Sequence, residues 1–122
     1  MSLAPMYYRS AEIIILVFDV TREESFRSLS KWMTALQGNK RDGSFIVLAG
    51  NKIDMKDRVI GRDEINKFCS QFTGLKYFEC SAYNGQGVDE LFDYVIHRRM
   101  SSIMNVVKKA EVIRDTTDKS CC

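Results

Sequence analysis

Two uninterrupted apolar runs limit the fold of this chain more than any other feature. They are Ile13-Ile14-Ile15-Leu16-Val17-Phe18 and Phe45-Ile46-Val47-Leu48-Ala49. Both are too short for an ordinary helix and rich in β-branched or aromatic side chains, which suits strands. Neither alternates apolar with polar positions, the pattern of strands covered on both faces of a parallel sheet. A weaker third run, Tyr77-Phe78-Glu79-Cys80, has the same character.

Helical patterns separate and follow these runs. Phe26, Leu29, Met33 and Leu36 recur at helical spacing, with Thr21 and Glu24 as a capping-box signature and Gly38 as a stop. Ile65, Phe68, Cys69 and Phe72 mark a second face, with Gly74 beyond its end. Val88, Leu91, Phe92 and Val95 mark a third, with Asp89 and Glu90 in its first turn and Arg98 and Arg99 near its last. That charge order suits the helix dipole. Strand and helix thus alternate three times, which predicts an open α/β parallel sheet with right-handed crossovers. Three strands leave at least two sheet edges open, a risk for a strand as apolar as residues 13–18. Beyond it, Met100, Ile103, Met104, Val107 and Ala110 extend the third helical stripe, and residues 114–120 read as a flexible linker.

Composition narrows the function. The 122 residues leave room for one domain, and 18 Lys+Arg against 16 Asp+Glu give a charge of only +2, which does not argue for nucleic-acid binding. No apolar run approaches the roughly 18 residues of a membrane span. The N-terminus holds Pro5, Tyr7, Tyr8 and Arg9 where a signal peptide needs an apolar core. None of the four cysteines forms a C-x-x-C pair and His97 is the only histidine, so a zinc site lacks support. Cys69 and Cys80 fall in apolar patterns and read as reduced core residues, whereas Cys121 and Cys122 close the chain.

Ligands of open α/β sheets bind beyond the carboxyl ends of the strands. There the sequence reads Gly50-Asn51-Lys52-Ile53-Asp54 after the second strand and Glu79-Cys80-Ser81-Ala82 after the third. Asn51-Lys52-x-Asp54 has the form of a guanine-recognition motif. A carboxylate only accepts, so Asp54 can take two N–H bonds from the guanine edge, N1–H and the 2-amino group. Adenine lacks that donor pair, and bidentate reading of this kind discriminates by roughly 1–3 kcal/mol. Lys52 can lay its aliphatic stem along a ring face with its ammonium in water. Asn51 can tie the loop to its neighbours, Ala82 N–H can donate to a guanine carbonyl, and Ser81 can brace the turn. The plainer alternative is a polar turn with an N-capping Asp.

Ser2-Leu3-Ala4-Pro5-Met6-Tyr7-Tyr8-Arg9, Asp19-Val20-Thr21, Glu24-Ser25-Phe26, Trp32 and the terminal Cys121-Cys122 together resemble the Rab small GTPases. The first segment is similar to the branch acting on early endosomes. The resemblance covers residues 2–100 and the terminal pair. It implies a partial P-loop NTPase (Ras-like) fold over residues 1–100, followed by a hypervariable tail over residues 101–122. It makes Asn51, Lys52, Asp54, Ser81 and Ala82 the contacts to GTP or GDP through the guanine base. Tyr83 departs from the family pattern, which usually has Lys there, and so bears on base affinity.

The resemblance also implies partners. Tyr7, Tyr8 and Arg9 correspond to the end of the second switch region, where effectors and exchange factors bind; packing on the sheet is the alternative for the two tyrosines. Cys121 and Cys122 correspond to a double geranylgeranylation site, with idle thiols as the alternative. Two lipid chains satisfy the two-signal requirement for stable anchoring. Escort and prenylation machinery, GDP dissociation inhibitor and the cytoplasmic face of endosomal membranes follow from that assignment, with a cytosolic pool.

Other family parts are not in these residues. Phosphate binding needs G-x-x-x-x-G-K-[ST], and residues 38–44 imitate it with Ser44 in place of Lys and before a strand instead of after one. There is no D-x-x-G for magnesium, no switch-one Thr segment and no Gln to orient water. In the family these precede the Ser2-Leu3-Ala4-Pro5 segment. The expectation is a chain resembling the C-terminal two-thirds of a Rab, with weak guanine binding, no magnesium site and no GTP hydrolysis. The alternatives are an incomplete gene model of a working GTPase and a non-enzymatic prenylated interaction module.

Overall fold

The structure, a computed structural model, describes residues 8–121, with side chains through residue 105. Its elements are β1 (Ile13–Asp19), α1 (Glu23–Arg27), α2 (Leu29–Asn39), β2 (Phe45–Asn51), α3 (Arg62–Cys69), β3 (Lys76–Glu79) and α4 (Val88–Cys121). The three strands form one parallel sheet in the order β1-β2-β3. The α/β class and the three parallel strands with flanking helices are thus as the apolar runs predict.

The central strand carries the sheet. Phe45 through Gly50 of β2 are all buried, so positions of both parities are covered and both faces are packed. The edge strand β1 differs: Val17 is 57 % exposed although it sits in an unbroken apolar run. A run without alternation therefore predicts two-sided cover correctly for β2 and incorrectly for β1.

Ile46 and Leu48 of β2 join Phe18, Val20, Leu29, Met33, Leu36, Ile60, Ile65 and Phe68 in the core cluster. An aromatic chain runs through it, with centroid separations of 5.5 Å for Phe18–Phe26, 5.6 Å for Phe26–Phe68 and 5.2 Å for Phe68–Phe72. These distances fall in the range where offset and edge-to-face pairs add to simple burial. Tyr8 also belongs to this core. It is 7 % exposed, and its hydroxyl lies 3.4 Å from the Ala35 carbonyl. Packing on the fold, one of the two roles left open for Tyr8, is what its side chain does here. Arg9 is exposed, and Tyr7 lies outside the described residues.

Several helix ends differ from expectation. The single helix anticipated after β1 is two, α1 and α2, meeting at Ser28. The Ser28 hydroxyl donates back to the Glu24 carbonyl at 2.9 Å, the local bonding by which serine competes with a continuous helix. The Thr21–Glu24 capping box does not form, because the Thr21 hydroxyl donates to Asp19 Oδ1 at 2.7 Å and Arg22 takes the cap position. Gly38 does not stop its helix. The chain leaves α2 at Lys40 in an extended conformation (ψ 154°), which needs no glycine. Helix α3 ends at Cys69, before Phe72, and Gly74 turns the chain at φ +80°.

Helix α4 continues to Cys121, so residues 114–120 are helical and not the linker expected. The Lys108-Lys109-Ala110-Glu111 run ahead of them consists of strong helix formers, which favours continuation. The chain divides into two compact units with the boundary after Leu91, inside this helix. In the second unit Phe92, Ile96, Met100, Ile103 and Met104 are exposed. No helix among the described residues is long and apolar enough to cross a membrane. The side chain of Cys121 and all of Cys122 lie outside the described residues.

Candidate functional site

Parallel register brings the strand ends level. Asp19 pairs with Asn51 at the ends of β1 and β2, and Gly50 pairs with Glu79 at the end of β3. Three polar residues therefore stand at one end of the sheet, and the loops that follow interlock.

The loop after β3 is wound around Ser81, whose side chain is fully buried. Ser81 N–H donates to the Gln86 carbonyl and Gly85 N–H to the Ser81 carbonyl, both at 2.8 Å. Asn84 N–H donates to Ser81 Oγ at 3.2 Å, and Ser81 Oγ donates to Asp54 Oδ1 at 2.6 Å. Ala82 N–H donates to Asn51 Oδ1 at 2.9 Å. Two cross-loop bonds thus join the motif after β2 to the motif after β3, and together these residues bring Asn51, Lys52, Asp54 and Ala82 to one cavity of about 550 Å³, which Met55 and Tyr83 also line. Ser81 braces that arrangement from behind and is absent from the lining.

Two details depart from the sequence reading. Ala82 N–H is engaged by Asn51, so a base carbonyl would have to share or replace that bond. Lys52 is not simply solvated: its Nζ lies 3.1 Å from Asp19 Oδ2. Lys52 also occupies the left-handed region at φ +70°, uncommon for a residue with a side chain and a form of strain that gathers at functional sites. Asp19 accepts the Thr21 N–H at 2.9 Å and the Thr21 hydroxyl at 2.7 Å on its other oxygen. Burial pushes the Asp19 carboxyl up, but the Thr21 bonds and Lys52 outweigh it and leave the group below its ordinary value.

Beneath the second loop lies an ionic cluster that the sequence reading missed. Glu79 pairs with Arg58 and accepts Arg62 Nε at 2.9 Å and the Tyr77 hydroxyl at 2.7 Å. Its side chain is only 13 % exposed. Burial pushes its carboxyl up, yet the bonds from Arg58, Tyr77 and Arg62 bring it down to about 2. Tyr77 moves the other way: burial and the neighbouring Glu79 charge hold its phenol well above the ordinary range. Gly87 closes the loop at φ +76°, and a Cβ there would run into the Glu79 backbone carbonyl. Among the described residues no cluster of His, Cys, Asp and Glu could hold a metal ion. Cys69 and Cys80 are free thiols.

A parallel sheet with a cavity built by the loops at the carboxyl ends of its strands has the cavity where ligands of open α/β sheets bind. Comparison with known proteins makes the class specific. A family model described as the Ras family matches residues 1–101. The chain is 38 % identical over 97 residues to the putative ras-related protein Rab-5B of Dictyostelium discoideum, covering 80 % of this chain and 45 % of that protein. It is 42 % identical over 92 residues to ras-related protein Rab-12 of Mus musculus, covering 75 % and 38 % respectively. Ras-related protein RABF2b of Arabidopsis thaliana is 36 % identical over 128 residues, covering 99 % of this chain and 63 % of that protein. The chain belongs to the Ras family, and these relatives place it with the Rab-type small GTPases. It spans between 38 % and 63 % of their length.

Proposed function

We propose that these residues supply the guanine-recognition half of a Rab-type GTP-binding protein acting in vesicle trafficking. The observation that carries this reading is the pair of bonds joining the loops, Ser81 Oγ to Asp54 and Ala82 N–H to Asn51, which hold the Asp54 carboxylate at the cavity wall. A carboxylate fixed in this way accepts the N1–H and 2-amino donors of guanine and leaves adenine unmatched. Ala82 N–H then serves the base carbonyl, and Asn51 holds the loops together. GTP and GDP are the ligands that follow from family membership.

Isothermal titration of the 122-residue chain tests this with guanosine, GDP and adenosine. Guanosine binds more tightly than adenosine, and Asp54→Ala reduces that preference by roughly 1–3 kcal/mol. Equal binding of the two nucleosides refutes the reading.

In this reading residues 1–100 form part of the GTP-binding domain, and residues 101–122 carry the membrane address. Cys121 and Cys122 accept geranylgeranyl groups from the prenylation machinery with its escort protein, and GDP dissociation inhibitor extracts the product from endosomal membranes. Arg9 is exposed beside the segment that would meet effectors and exchange factors. A Cys121→Ser, Cys122→Ser double variant stays in the cytosolic fraction of cells in which the parent chain sediments with membranes, since one chain or none binds marginally. Unchanged sedimentation removes the lipid anchor from the account.

A further inference from the structure

We propose that helix α4 from Val95 to Ala110 is an interfacial helix, which lays an apolar stripe and its flanking basic residues on a membrane surface rich in anionic lipid. The proposal rests neither on the guanine reading nor on lipidation of Cys121 and Cys122. It adds a contact that the chain makes with no lipid attached.

Two observations coincide in this stretch, and the first is the stripe. Ile96, Met100 and Ile103 recur at steps of four and three, and Met104 stands beside them. All four are between 38 % and 56 % exposed. The helical period puts them on one side of α4. His97, Arg98, Ser101, Ser102 and Asn105 take most of the remaining circumference, so polar residues bound the stripe. A helix apolar on one side only lies along an interface and does not cross it.

The second observation is charge. The first turns of α4 carry Asp89, Glu90 and Asp93. From Val95 to Ala110 there is no Asp or Glu, and Arg98, Arg99, Lys108 and Lys109 give a formal +4 in a chain of net +2. The rest of the chain is therefore net negative. By the helical period, position 99 borders the stripe on one side and position 108 on the other. Long basic side chains at such margins can bury their stems and keep their cations among lipid headgroups. Arg98 stands on the far side of the helix, where it donates to the Tyr94 hydroxyl at 3.0 Å.

Charge decides what covers the stripe. A second copy laid stripe to stripe would bring +4 against +4 in either orientation. The spacing also lasts for only about two heptads, short of a coiled coil. An anionic lipid surface complements the charge and accepts Met and Ile side chains without needing a shaped partner. Each basic residue near such a surface strengthens binding by about fivefold.

Sedimentation of the reduced, unprenylated 122-residue chain with vesicles tests this. The chain sediments with phosphatidylcholine vesicles containing about a third phosphatidylserine, and at least about tenfold more weakly with phosphatidylcholine alone. Added salt weakens the binding, because exposed charges are screened. Replacing Met100→Gln and Ile103→Gln together weakens it by about tenfold or more. Glutamine is a strong helix former and both positions are exposed, so the urea midpoint stays in place and unfolding is excluded as the cause. Arg99→Gln with Lys108→Gln weakens binding to the anionic vesicles by about tenfold or more and leaves the neutral ones unchanged.

Equal binding to the two vesicles, or binding that survives Met100→Gln with Ile103→Gln, overturns the proposal. So does a lipid-free dimer that this variant abolishes, since a second copy then covers the stripe. No binding to either vesicle also overturns it and leaves the stripe to a protein partner. None of these outcomes bears on prenylation, which the unmodified chain lacks in every arm.

Discussion

After β2 and β3 the chain turns with its polar groups engaged across loops, whereas α4 from Phe92 to Met104 leaves five large apolar side chains exposed. The first region is closed on itself. Ser81 bonds to Asp54, Ala82 to Asn51, Lys52 to Asp19, and Glu79 to Arg58, Arg62 and Tyr77. Hydrogen bonds and ion pairs are directional, so each of these fixes which group stands opposite and at what distance. An apolar stripe fixes neither; it shows only which face of a helix favours leaving water. The loops are therefore fixed by their own bonds, and the stripe on α4 defines only a face.

The largest effect should come from breaking the closed region at its tightest point. Gly87→Ala places a Cβ against the Glu79 carbonyl and demands a positive φ of a residue that resists it. Together these cost roughly 3–5 kcal/mol, read as a fall in the urea midpoint. A loss below about 1 kcal/mol would show that the loop is slack, and the comparison with α4 would lose its basis.

A change in pH tests the ionic cluster with no substitution at all. Glu79 titrates near 2 in the fold against 4.5 when unfolded, so between those values the unfolded chain binds more protons. The contribution is complete above about pH 4.5 and disappears as pH falls towards 2, amounting to roughly 3 kcal/mol from this group. Chemical denaturation from pH 6 down to pH 3 shows the decline in wild type. In Glu79→Gln stability is lower at neutral pH and this part of the slope is absent. An unchanged slope in the variant would place the acid sensitivity elsewhere.

The smallest effect belongs to α4. Ile96→Ala removes a side chain that is mostly in water, and the cost stays within about 0.5 kcal/mol in the chain alone. A loss of about 2 kcal/mol or more would mean that the stripe is covered in solution, which would make the two regions alike.

How far the sequence revealed these regions depended on the kind of signal each carries. Asn51, Lys52, Asp54, Ser81 and Ala82 could be placed because they directly follow strands whose apolar runs are unmistakable. The same rule applied to β1 points to Asp19, which pairs with Lys52 across the register. Glu79 lay within a quoted motif, yet its partners Arg58 and Arg62 stand 21 and 17 residues earlier, where no periodicity links them. The break at Ser28 turns on one side-chain bond to Glu24 that competes with helix continuation, and helical spacing of Phe26 and Leu29 does not reveal it. The exposure of Val17 depends on what packs over its face of β1, a property of the assembled fold and not of the run itself.

The claim that the interlocked loops read a guanine edge has a direct test in amide spectra of the labelled chain titrated with guanosine and with adenosine. Guanosine shifts the amides of Lys52, Asp54, Ala82 and Tyr83, the Ala82 amide most as its bond to Asn51 is exchanged for the base carbonyl, and adenosine at the same concentration shifts them much less. Equal shifts from both nucleosides, or shifts that avoid these four residues, would contradict the account.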